Sequence, residues 1–129
     1  MNDINEKLAD LAKEIAKKAY APYSNFRVGA ALITESGNIY TGCNIENAAY
    51  PATICAEDVA VFKAISEGET KIDTIAVACI DAKSDTAIFP CGLSRQRLSE
   101  FNTEKVIVVD KEGFNEYKFS EILPFDFKF

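Results

Sequence analysis

Apolar positions return along this chain at two spacings, and the spacings define its elements. From residue 3 to 19, Ile4, Leu8, Leu11, Ile15 and Ala16 recur every three or four positions with Lys, Glu and Asp between them, which predicts an amphipathic helix. Ala21-Pro22-Tyr23-Ser24-Asn25 breaks it, because proline disfavours helical geometry in the residue before it. Arg27–Thr34 (RVGAALIT) predicts a strand, Glu35-Ser36-Gly37-Asn38 a hairpin turn, and Ile39–Cys43 the returning strand. Residues 44–53 form a polar and aromatic loop containing Pro51. A second helix is expected from Thr53, as N-cap, to Ser66, stopped by Gly68. Thr74–Ile80 (TIAVACI) is apolar throughout and reads as a central strand covered on both faces. A short strand at Thr86–Phe89, a third helix at Gly92–Phe101, another buried strand at Lys105–Val109 and a short helix at Ser120–Leu123 complete the reading, ahead of the tail Pro124–Phe129. The order α-β-β-α-β-α-β predicts one α/β domain over residues 1–129, with an antiparallel hairpin and later crossovers that favour parallel pairing.

Composition narrows the chemistry. The chain of 129 residues contains no histidine, which removes Ser-His-Asp and Cys-His nucleophile systems and every imidazole metal ligand. With 48% hydrophobic residues it is too apolar for intrinsic disorder. No apolar run approaches the ~18 residues of a membrane span, and the charged start MNDINEKLADLAKEIAKK has no secretory pattern. Fourteen basic against twenty acidic residues give a net charge of −6, which disfavours a nucleic-acid polymer as partner and leaves a neutral small molecule open. A cytoplasmic setting is expected. The four cysteines, Cys43, Cys55, Cys79 and Cys91, then read as free thiols or metal ligands rather than disulfides.

Two segments concentrate reactive groups: Thr53-Ile54-Cys55-Ala56-Glu57 and Pro90-Cys91-Gly92-Leu93-Ser94-Arg95. Each sets a cysteine at the start of an expected helix, where unpaired N–H groups lower a thiol's pKa and favour the metal-binding thiolate. Two such thiolates facing each other would form half of a zinc site. Glu57 would sit beside a metal-bound water without ligating the metal. Free cysteine is equally at home as a small buried hydrophobe. For Cys43 and Cys79, both in strands, that reading is preferred.

Taken together, Phe26-Arg27-Val28-Gly29-Ala30-Ala31-Leu32, Thr41-Gly42-Cys43-Asn44-Ile45-Glu46-Asn47-Ala48-Ala49-Tyr50, Cys55-Ala56-Glu57 and Pro90-Cys91-Gly92 resemble the small homotetrameric cytidine deaminases. The resemblance extends from Tyr20 to Pro124, and its Cys-x-Glu and Pro-Cys elements belong to the zinc-deaminase signature. It implies a three-layer α/β/α sandwich and hydrolytic deamination of a free cytidine-type nucleoside by a metal-activated water. Cys55 and Cys91 would be zinc thiolates and Glu57 the proton shuttle. Asn44 and Glu46 would bind the ribose, Phe26 and Ala56 would line the nucleoside pocket, and Tyr50 and Phe127 would reach the site of a neighbouring subunit.

Two positions depart from the pattern. Ser94 stands where the family carries a third cysteine, and Asp58 where it usually carries arginine. Asp58 lies three residues after Cys55, on the same helix face, and a carboxylate is a legitimate zinc ligand. We therefore expect Asp58 as the replacement ligand, which would widen metal choice towards iron or manganese. Ser94 coordinating directly or through water is the competing account. A metal-free nucleoside-binding homologue, or a deaminase of a modified cytosine nucleoside, are the competing functions.

Overall fold

The computed structural model describes residues 3–82 and 88–129. Helix α1 (Asp3–Ala16) is followed by the hairpin β1 (Val28–Thr34) and β2 (Ile39–Cys43), then by a 3₁₀ turn at Tyr50–Ala52. Next come α2 (Ala56–Ser66), β3 (Ile72–Cys79), α3 (Gly92–Glu100), β4 (Lys105–Asp110), β5 (Gly113–Lys118) and α4 (Phe119–Ile122). The strands form one sheet in the order β2-β1-β3-β4-β5. The β3–β4 pair is parallel and the other neighbours are antiparallel, so the sheet is mixed.

Strand alternation builds a core on each face. Ala30, Leu32, Ile75, Val106 and Val108 point to the side of α2, where they meet Ala60, Val61 and Leu98. Ala31, Ala76, Ile107 and Val109 point to the opposite side, against Leu8, Ala9 and Ala12 of α1. The three layers expected from the resemblance are therefore present. Two glycines let the helices approach closely. A Cβ on Gly29 would collide with the backbone of Ala12 in α1, and one on Gly42 would lie 2.6 Å from Ala56 O and Ala60 N. The first turn of α2 is thus seated directly on β2.

The structure departs from the sequence reading at several points. Helix α1 ends at Ala16, three residues early, where the chain turns through Lys17 and Lys18. Thr53 does not cap α2; its hydroxyl accepts from Asn47 N, and Cys55 takes the N-cap position. Strand β5 was not anticipated. Of the expected strand at Thr86–Phe89, Thr86 and Ala87 lie outside the described residues, and Ile88 and Phe89 are in no strand.

Candidate active site

The starts of α2 and α3 converge on one cavity of about 180 Å³. Asn44, Cys55, Ala56, Glu57 and Cys91 line it, with Val28, Val77 and Phe89 among its apolar walls. Larger hollows beside α4 and along α1 hold no thiol. Cys55 and Cys91 are the N-caps of their helices, both with extended backbone geometry. Each side chain therefore projects from the end of a helix where backbone donors are unpaired.

The carboxyl of Glu57 is 4% exposed. Burial pushes its pKa up to about 7, with the nearby Asp58 adding to the rise. A carboxyl in that range can both take and give a proton at neutral pH.

The two thiols differ. Burial, followed by the charges of Glu57 and Cys91, pushes Cys55 up to about 12. The expected depression at a helix start is overridden there, because lost solvation outweighs the backbone field. Cys91 is also pushed up by burial, but the N–H groups of Ser94 and Leu93 and the neighbouring side chains outweigh it, and its pKa falls below the ordinary thiol value.

Ser94, fully buried in the first turn of α3, joins the thiols to a charged pair. The Cys91 thiol donates to Ser94 Oγ at 3.6 Å, and the Ser94 side chain lies near enough to Cys55 to offset part of the rise in its pKa. Ser94 Oγ donates to Asp58 Oδ2 at 3.3 Å. The same oxygen accepts from Arg97 Nη1 at 2.6 Å, while Asp58 Oδ1 is buried without a partner. Arg97 lies over the Phe62 ring, 5.6 Å from its centroid. Among the described residues no three Cys, Asp or Glu side chains gather into a metal-holding group. Asp58 is directed to Ser94 and Arg97.

The donor set that does converge is Cys55, Cys91 and Ser94. A tetrahedral zinc ion bound to sulfur and oxygen separates those donors by about 3.5 Å, close to the 3.6 Å between Cys91 and Ser94. Of the residues around the cavity, these three side chains are the ones that could hold a divalent cation.

Other expected site residues have structural partners as well. Asn44 accepts from Val28 N at 2.8 Å and donates to Phe26 O at 2.9 Å, so its side chain fixes the strand beside the cavity. Glu46 accepts from the Tyr23 and Ser24 amides and from the Ser24 hydroxyl. With Tyr50 it lines an adjoining hollow that shares Thr53 with the first. Phe26 is half-buried and touches the site through its carbonyl. Phe127 is 68% exposed, on a tail held along α3 by Gln96 donating to Phe127 O and Ser99 donating to Asp126. Arg97 was missed from sequence, although a cation three residues after Ser94 on the same helix is its signal.

A family model described as the cytidine and deoxycytidylate deaminase zinc-binding region matches residues 2–110. A cytidine deaminase of Sporosarcina psychrophila is 49% identical over 96 residues, covering 74% of this chain and 68% of that protein. One from Halalkalibacterium halodurans is 44% identical over 109 residues, covering 82% and 80%. Among solved structures, a cytidine deaminase from Burkholderia pseudomallei superimposes with a TM-score of 0.85 at 38% identity, covering 94% of this chain and 97% of that one. A cytidine deaminase from Mycobacterium tuberculosis gives 0.83 at 32%, covering 98% of each.

Proposed function

Because the chain belongs to the cytidine and deoxycytidylate deaminase family, we propose that it hydrolyses cytidine-type free nucleosides to the uridine analogue and ammonia. The observation that carries this reading is the buried Glu57 carboxyl beside two helix-start thiols on a single cavity.

Cys55, Cys91 and Ser94 would hold zinc, with Asp58 behind Ser94 rather than in the ligand set. The ion would supply Lewis acidity, bringing the pKa of water towards ~7. Glu57 takes the proton released when water adds to C4 of the cytosine ring and passes it to N3. It then takes the proton of the new C4 hydroxyl as the carbonyl forms and delivers it to the 4-amino group, which departs as ammonia when the C4–N bond breaks. Such general acid–base work contributes ~10²–10⁴-fold. The apolar walls, Val28, Val77 and Phe89, exclude bulk solvent from the ring. Asn44 and Glu46 stand at the sugar end, each with lone pairs left for a ribose hydroxyl.

The exposed rings of Tyr50 and Phe127 support a homotetramer in which these side chains complete neighbouring sites. Four free cysteines support a reducing, cytoplasmic setting. No helix among the described residues is long and apolar enough to cross a membrane.

The test is ultraviolet absorbance of cytidine and deoxycytidine incubated with zinc-loaded protein. Conversion to the uridine spectrum is expected, and Glu57→Gln should slow it by about 10²–10⁴-fold. Silence on both nucleosides, or turnover of a modified cytosine nucleoside alone, overturns the reading.

A further inference from the structure

Asp58 and Arg97 are not among the residues that line the cavity; they meet the cradle at Ser94. The carboxylate is 2% exposed and is reached by a guanidinium that is 34% exposed. A buried ion pair is a poor way to stabilise a fold, since an apolar pair of similar volume often does as well or better. This pair is also used unevenly. Oδ2 takes both Arg97 and Ser94, while Oδ1 is left with no partner, an arrangement that carries the desolvation penalty of an unpaired buried polar atom. What the asymmetry achieves is the direction of one hydroxyl. A serine hydroxyl has a single proton and two lone pairs. With the proton given to Asp58, the lone pairs of Ser94 are left for the side where Cys91 and Cys55 lie.

We propose that Asp58 is a positioning residue for the metal cradle: held by Arg97, it takes the Ser94 proton donor away from the thiols and presents the serine oxygen to the cation. This rests on the reading of Cys55, Cys91 and Ser94 as the cradle.

The experiment measures zinc affinity by chelator competition, and the absorption of the cobalt-substituted protein, for the full chain and for Asp58→Ala, Ser94→Ala and the double variant. Outer partners of metal ligands typically govern affinity by about 10–100-fold. Asp58→Ala should weaken zinc by that factor while keeping the thiolate-to-cobalt bands at saturating cobalt. The double variant should be no weaker than the worse single one, because Ser94 without its acceptor is already misdirected. Should Asp58→Ala fail to fold, Asp58→Leu/Arg97→Leu replaces the ion pair with an apolar one and carries the same expectation.

Unchanged zinc affinity in Asp58→Ala, with only the melting temperature lowered, makes the pair structural and overturns the proposal. Additive losses overturn it too. So does loss of the cobalt–thiolate bands in Asp58→Ala with wild-type binding in Ser94→Ala, which makes Asp58 itself the ligand. If the unaltered chain shows neither zinc affinity nor those bands, the cradle reading has failed first.

Discussion

The beginnings of α2 and α3 have the same local plan and opposite electrostatics. Both present an N-cap cysteine with extended backbone at a helix end rich in unpaired donors. At α2 the turn is pressed onto β2 through Gly42 and carries two carboxylates, Glu57 and Asp58, so Cys55 is desolvated among acids and stays protonated. At α3 the turn is open to solvent at Cys91, Gly92 and Leu93, and backbone N–H groups reach the sulfur. A helix dipole is therefore a small effect, and burial decides whether it shows.

Alkylation exposes this contrast most strongly. In metal-free protein at pH 8, iodoacetamide should modify Cys91 at least about a hundredfold faster than Cys55, because only thiolate reacts. Burial raises Cys43 and Cys79 also, so peptide mapping should find a single early adduct, at Cys91. Early labelling of Cys55 would break the comparison.

The second effect is on stability against pH. Glu57 is raised from about 4.5 to about 7 on folding. The native state thus holds a proton that the unfolded chain releases, and stability falls as pH rises from 4.5 through 7. Glu57→Gln removes that dependence. It should leave the metal-free protein more stable than the parent above pH 7, by up to about 3 kcal/mol, and unchanged below pH 4.5. Urea unfolding at pH 4 and pH 8 checks it.

The smallest effect tests the seat of α2. Gly42→Ala forces a Cβ against Ala56 and Ala60, which should cost about 1–3 kcal/mol of overpacking. It should also displace Cys55 relative to Cys91, lowering zinc affinity more than Gly37→Ala, whose strain at φ +92 lies in the hairpin turn. Equal zinc affinity in the two variants would show that the α2 seat does not govern the cradle.

Elements held by strong local patterns were legible in the amino-acid order. The α1 stripe and the apolar runs of β1, β3 and β4 each bury a face that their spacing announces. β5 was not. It is a sheet edge whose two half-buried side chains, Phe114 and Tyr117, are three residues apart, and its register comes from pairing with β4. In the site, the thiols and Glu57 could be placed from spacing and resemblance. Asp58 was visible as an oddity, but its partner Arg97 lies thirty-nine residues away on another helix. Only the approach of α2 and α3 unites them. The Cys55 thiol was misjudged for a related reason: a helix start is a local feature, whereas desolvation is set by the whole fold.

The tail separates two properties that proteins often entangle. Its anchorage to α3 runs through main-chain oxygens, Asp126 and the Lys128 ammonium, which donates to Ser99 O. The rings of Phe125, Phe127 and Phe129 take almost no part in it. Those three positions can therefore be exchanged one for another aromatic, or thinned to aliphatics, at little thermodynamic penalty to the lone polypeptide. The scaffold behind these rings does not depend on their exact shape.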